Sequence, residues 1–215
     1  MRRQIVMLAL ASASMAAQAG EVYGGIGLPG LMLGYAHAYS PTLTARVDVA
    51  TLGSRDYSTT RDGVAYTGSL KAHRAGVFGD WFVLSGGFRL TGGVTFNTLS
   101  AAVAAVGAGK VLQLGDANTS YTLTADDRLD LAIRFPKTTP YIGIGYGHHS
   151  GKGLGFVWDI GVSIGKPKVT ARGSGTALSV AQAQTDIAAE AAKIQKDLDK
   201  ATVIPQISLG ISYKF

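Results

Sequence analysis

The chain has 215 residues, is 47% hydrophobic with 29 glycines and no cysteine, and carries a formal net charge of +6. That is one domain's worth of chain, and without cysteine it has neither a disulfide framework nor a thiolate metal centre. The basic excess comes without a basic run or interleaved aromatics, so no nucleic-acid partner is expected.

Arg2 and Arg3 precede the apolar run Ile5 to Ala11, and Ala17-Gln18-Ala19 supplies small residues before Gly20. This is the pattern of a cleaved secretory signal, residues 1–19, leaving residues 20–215 as a single domain. Loss of Arg2 and Arg3 lowers the charge from +6 to +4. The apolar run is far shorter than the roughly 20 residues of a spanning helix, and no later segment reaches that length. A chain that crosses lipid without such helices must cross as strands, and these must close into a barrel to pair every backbone group. Abundant glycine suits strands that curve around a narrow lumen.

Val22 to Leu28 and Leu31 to Tyr39 are short apolar stretches around the break Leu28-Pro29-Gly30. After Ser40-Pro41, the residues Leu43, Ala45, Val47 and Val49 alternate with Thr44, Arg46, Asp48 and Ala50, which predicts a strand with a charged inner face. Gly53 to Asp62 has no apolar period and reads as an exposed loop. Val64, Tyr66, Leu70 and Ala72 keep one phase and Ala75, Val77 and Trp81 the other, which predicts a β-bulge near His73-Arg74 or a break in the strand. Beyond the turn Leu84 to Gly87, Phe88, Leu90, Val94 and Phe96 alternate with Arg89, Thr91, Gly93, Thr95 and Asn97.

Leu99 to Asp127 reads most simply as a long loop, with room for a small hairpin around Gly115 to Asn118. Leu129, Leu131, Ile133 and Phe135 resume the strand pattern opposite Asp130 and Arg134. Pro136 to Pro140 is a turn, and Ile142, Ile144 and Tyr146 then alternate with Tyr141 and three glycines. After the polar loop His148 to Gly153, Leu154 to Ile164 alternate without a break, Asp159 falling on the inner side. Gly165-Lys166-Pro167 leads into a short strand, Lys168 to Arg172.

From Ser179 the period changes. Ile187, Ala191, Ile194 and Leu198 share a helix face, so an amphipathic helix over about 179–200, capped by Ser179 with Gln182 and paired by Glu190 and Lys193, precedes the last strand. In that strand Ile207, Leu209, Ile211, Tyr213 and Phe215 share one face, and Gln206, Ser208, Gly210, Ser212 and Lys214 the other. The fold class is therefore all-β: a closed antiparallel transmembrane β-barrel of 8–10 strands with one inserted helix. Ten strands result if the first two stretches form a hairpin and the strand after Lys166 counts. That count puts most short turns, from Ser40-Pro41 to Gly165 to Pro167, on the periplasmic side and the helix on the outer side.

The terminal Phe215, the aromatic Tyr213 and the alternate apolar residues Ile207, Leu209 and Ile211 resemble the closing strand of small Gram-negative outer-membrane barrels. Pro140 to Tyr146 is similar to a strand of the OmpW-like and OmpA-like groups. The resemblance implies residence in a Gram-negative outer membrane, insertion by the outer-membrane assembly machinery, which reads that strand, and contact with outer-membrane lipids and lipopolysaccharide. It implies no single activity.

Arg46, Asp48, Arg89, Asp130, Arg134, Asp159 and Lys214 all fall opposite the apolar face, where unpaired charges are costly, so a salt-bridged plug is expected over a solute path. His148-His149-Ser150 resembles the rim motif of lipid A deacylases, with Asp159 the nearby carboxylate, but its flanks Gly151-Lys152-Gly153 differ from that family's. A solvated loop is the expectation, with no catalytic, cofactor or metal residues. Adjacent histidines on a strand point to opposite faces and hold one ion poorly. The expected function is a structural or surface-interaction barrel without catalysis; the alternatives are a narrow, porin-like channel for small solutes and a lipid A-modifying hydrolase.

Replacing Tyr213 and Phe215 with serine should abolish assembly. The check is the heat-modifiable band of the folded barrel in membrane fractions, whose normal abundance in the variant would refute the role of this strand.

Overall fold

A computed structural model describes residues 20–61, 64–84, 86–115, 119–148 and 152–215; the signal segment 1–19 lies outside them. The strands are β1 (Gly20–Leu28), β2 (Gly30–Ser40), β3 (Leu43–Arg61), β4 (Val64–Trp81), β5 (Phe88–Val106), β6 (Val111–Leu114), β7 (Thr119–Thr122), β8 (Arg128–Arg134), β9 (Thr138–Tyr146), β10 (Gly153–Ile164), β11 (Lys168–Ser174) and β12 (Val203–Lys214). The helix α1 (Ala181–Leu198) stands before β12.

Eight strands form a ring in the order β5-β4-β3-β2-β1-β12-β10-β9. It closes where Phe88 to Phe96 of β5 pair with Tyr146 to Thr138 of β9. Both strand counts contain part of the answer. The first two stretches are a hairpin, Gly27 opposite Gly30, yet the ring has eight members, because β8 and β11 join the sheet without entering it. The short connections Ser40 to Leu43, Trp81 to Phe88 and Tyr146 to Gly153 lie at the end with the two termini. The turns at Pro136–Pro140 and Gly165–Pro167 lie at the opposite end, a correction that follows from leaving β8 and β11 out of the ring. That opposite end also carries the long excursions of β3, β4 and β5 and the segment from Phe96 to Thr138, and long excursions are extracellular in such barrels, so α1 stands on the extracellular side.

Outward side chains form the belt expected of lipid contact. Ile26, Leu33, Val49, Val77, Phe96, Ile142, Phe156 and Leu209 are all exposed, an apolar surface that water would not tolerate at this extent. From Phe88 to Phe96 the belt runs about 27 Å along the strand at roughly 3.4 Å per residue. Ile207, Leu209, Ile211, Tyr213 and Phe215 belong to it, with Ile211 66% exposed, while Gln206 and Ser212 of the same strand are buried. β12 sits between β1 and β10, so it seals the barrel on both sides. No helix among the described residues is long and apolar enough to cross a membrane.

Above the belt, β3, β4 and β5 continue as a raised wall that β8 and β11 extend. Gly53 to Arg61 is thus not a loop: it pairs with β4 as far as Val64. Most of its side chains are exposed, and a strand wet on both faces has no apolar period to read. The bulge also lies elsewhere. The register shift falls between Thr51 and Gly53 of β3, opposite His73 and Ala72. β4 itself keeps one phase, with Ala72, Arg74, Phe78 and Asp80 all buried; its apolar residues change sides because the strand leaves the membrane. Leu99 to Val106 likewise continues β5, paired to both β4 and β8, while the small hairpin around 115–118 is β6 and β7. Asp116, Ala117 and Asn118 lie outside the described residues.

The wall has its own core. Leu114, Leu123, Leu178 and Ile187 are buried together, with Leu112, Tyr121, Leu129 and Ala171 against them. Leu129, Leu131 and Ile133 of β8 pair with Ala105, Val103 and Ala101 of β5, so this core lies on the face that looks into the lumen lower down. The helix begins at Ala181 with Val180 as its N-cap, without the side-chain cap expected from Ser179 and Gln182, and Glu190 pairs with Lys193 at 2.9 Å. Gln195 accepts a hydrogen bond from Val169 N at 2.9 Å and donates to Pro167 O at 3.0 Å, occupying backbone groups of edge strand β11. Asp127, fully buried, receives the backbone N–H groups of Thr124, Ala177 and Leu178. Burial pushes its carboxyl up, but those donors outweigh burial and hold it below the ordinary range.

Two tests follow from these contacts. A Cβ on inward Gly161 would strike the Tyr141 ring, whereas one on outward Gly92 meets nothing within 4 Å. Gly161→Val should therefore destabilise the barrel by about 1–3 kcal/mol, and Gly92→Val should not, as read from thermal unfolding in detergent. Because the folded carboxyl of Asp127 titrates below its unfolded value, its contribution is present above about pH 4 and is lost as pH falls through the folded value. Exchange of the Ala177 and Leu178 amides should rise over that acid range, and Asp127→Asn should raise it already at neutral pH.

Candidate functional site

An eight-stranded ring encloses a space just wide enough for side chains to fill. Here the filling is charged. β3 contributes Arg46 and Asp48, β4 contributes Arg74 and Asp80, β5 contributes Arg89 and β10 contributes Asp159, three arginines against three aspartates, all buried. Arg46 Nε lies 2.5 Å from Asp80 Oδ2, and its Nη2 donates to Asp159 Oδ1 at 3.1 Å. Arg89 Nη2 donates to both oxygens of Asp159, at 2.8 and 2.9 Å, and Arg89 Nε lies 3.2 Å from Asp80 Oδ2. Thr91 donates to Asp80 Oδ1 at 2.7 Å.

A second layer sits nearer the extracellular end. Arg74 donates through Nη2 to Asp48 and through Nη1 to Gln206, both at 2.6 Å. Gln206 donates to Ser163 Oγ at 2.5 Å, and Ser163, Thr95 and Thr139 continue as a chain of hydroxyl contacts at 2.9 and 2.7 Å. Tyr23 OH donates to Asp48 Oδ2 at 3.2 Å. Phe78 lies between the layers, its ring 5.1 Å from the Arg46 guanidinium and 5.5 Å from that of Arg74, with Tyr141 edge-on at 5.0 Å. Such cation–π contacts gain strength where water is excluded. Room for these rings comes from glycine: a Cβ on Gly34 would meet Tyr23, and one on Gly76 or Gly93 would meet Phe78.

Ring order gives two of these contacts their meaning. β3 and β10 stand four places apart among eight strands, as do β4 and β12. Arg46 to Asp159 and Arg74 to Gln206 therefore cross the lumen between opposite walls. The void they border has a volume of about 20 Å³, close to the space of a single water. At the periplasmic end His148, a non-glycine residue at φ 64°, holds Glu21 through Nδ1 at 2.9 Å and meets Tyr23 edge-on with ring centres 4.5 Å apart.

Of the charges expected in the lumen, Arg46, Asp48, Arg89 and Asp159 meet there. Asp130 and Arg134 are on β8, outside the ring, and Asp130 pairs with Arg128 at the surface. Lys214 lines the periplasmic mouth with Glu21 and His148. Sequence reasoning passes over Arg74, Asp80, Glu21 and Tyr23, and puts Gln206 on the inner face without its partner Arg74. Arg74, Phe78 and Asp80 alternate with Ala75, Val77 and Trp81, a signal that an inward phenylalanine disguises. His149 and Ser150 lie outside the described residues, while His148 turns into the lumen toward Glu21. Among the described residues no three potential metal-ligating side chains converge.

No family model matches the chain, and no curated protein matches it. Solved structures do share its fold. The crystal structure of Acinetobacter baumannii CarO is 17% identical, with a TM-score of 0.56 over 92% of this chain and 98% of that one. Acinetobacter baumannii CarO2 is 15% identical, with a TM-score of 0.59 over 92% and 99%. Ring, apolar belt and this likeness of fold agree on a small outer-membrane β-barrel protein.

Proposed function

We propose that the protein serves a Gram-negative outer membrane as a closed, non-catalytic barrel whose raised wall is presented for contact at the cell surface. The observation that carries this reading is the pair of struts, Arg46 to Asp159 and Arg74 to Gln206, that span the lumen between opposite walls. A solute path through the membrane section would have to break both, and with them the contacts of Asp80 and Arg89. Opening costs more than it would at a wet surface, since separating one partner of a buried pair leaves the other charge uncompensated. The extracellular wall supports the second half of the reading. It has a core independent of the lumen, and its length exceeds what crossing the belt requires. Assembly machinery that reads β12 and the lipids around the belt are the partners that this location calls for.

Purified protein in a planar bilayer should give no stepwise conductance at neutral pH; sustained unitary currents from the parent protein would favour the channel reading instead. Removing both struts with Arg46→Ala and Arg74→Ala should produce leak. Arg89→Ala alone should cost about 3–5 kcal/mol, read as loss of the heat-modifiable band at lower temperature. Lipopolysaccharide incubated with the protein should release no fatty acid, and release would restore the hydrolase alternative.

A further inference from the structure

Four cations gather where the belt ends and the wall begins. Arg134 at the end of β8 and Lys168 at the start of β11 are directly opposed in the ladder, like charge against like. Such a pair opposes strand pairing unless something offsets it. Lys137 and Lys166 stand in the adjoining turns, and these touch, since a Cβ on Gly165 would lie 3.0 Å from Pro136 Cγ. All four side chains are exposed, and none makes an ion pair among the described residues. The neighbouring carboxylate, Asp199, accepts from Gln195 Nε2 at 2.9 Å, and Gln195 also holds Pro167 O.

Their direction is fixed by register. Leu129 and Ala171 pack into the wall's core, so Arg134 and Lys168 take the opposite face. Arg134 is opposite Ser100 of β5, which shares the outward side with Phe96. The cluster therefore looks the same way as the belt. Lys166 follows Ile164, an exposed belt residue, by two positions, about 7 Å at the rise of a strand. That is the level of lipid head groups, where basic side chains meet anionic lipid.

We propose that Arg134, Lys137, Lys166 and Lys168 form a binding site for the phosphate-bearing head group of lipopolysaccharide in the outer leaflet. The site rests on the extracellular orientation in the function proposed above, and deepens it by naming one lipid and the residues that hold it. Guanidinium and ammonium groups pair with phosphate oxygens through charge-assisted hydrogen bonds. A bound phosphate also offsets the Arg134–Lys168 opposition, to which the ladder adds a further cation on the same face, Lys71 beside Ser100.

The test uses the full mature barrel, folded in detergent and titrated with labelled lipopolysaccharide. Arg134→Glu with Lys168→Glu should weaken binding on the order of tenfold or more, as should Lys137→Glu with Lys166→Glu, while Lys152→Glu, at the periplasmic end, leaves it unchanged. Dephosphorylated lipopolysaccharide should bind the parent as weakly as the intact lipid binds the variants. Unchanged affinity in the variants, equal loss in Lys152→Glu, or full binding of the dephosphorylated lipid would each overturn the site. Competition by inorganic phosphate at matched concentration would also overturn it, in favour of a free-anion site. Heat-modifiability verifies folding, and Arg134→Gln with Lys168→Gln replaces the first pair if that variant fails to fold. Failure here leaves the conductance result standing, and currents through the lumen leave this site standing.

Discussion

The rest of the structure depends on the closure of eight strands in lipid. Closure satisfies the backbone, because each strand of the ring finds a partner on both sides and no edge faces hydrocarbon. It also creates a difficulty. The enclosed space admits little water, so every inward polar group must find its partner inside. Equal numbers of arginine and aspartate, interleaved with Tyr23, Phe78 and Tyr141, meet most of that demand within one network, leaving Arg74 Nε and Arg89 Nη1 without a hydrogen-bond partner among the described residues.

Two cores of opposite character result, set by what lies outside each. In the membrane section lipid takes the apolar side chains, and the interior is left to charge. In the raised wall water surrounds the sheet, and Leu114, Leu123, Leu178 and Ile187 return to the inside. β5 passes through both regimes: Arg89 and Thr95 look inward below, and on the same face higher up Ala101 and Val103 lie opposite Ile133 and Leu131 of β8. The strand does not change; its solvent does.

This change of solvent decides what was legible. Where one face meets lipid, as from Phe88 to Phe96, Leu154 to Ile164 and Ile207 to Phe215, alternation stood out and the strands were read correctly. Where both faces are wet, as in Gly53 to Arg61, or lined with alanine, as in Leu99 to Val106, the same architecture left no period, and strands passed for loops. Inner charges could be placed on a face but not matched across the ring, since Arg46 and Asp159 lie far apart in sequence and only ring order makes them opposite. Arg134 and Asp130 share the pattern of lumen residues because β8 alternates like a ring strand while standing outside the ring.

Chain order gives the cross-lumen struts a further consequence. Asp159 and Gln206 belong to β10 and β12, which are synthesised after the arginines they receive. Until the ring closes, Arg46 and Arg74 lack their far-wall partners and face a half-formed interior open to water. Closure of the ring and neutralisation of its buried charges are therefore one event, and a partly closed barrel has no dry interior to keep.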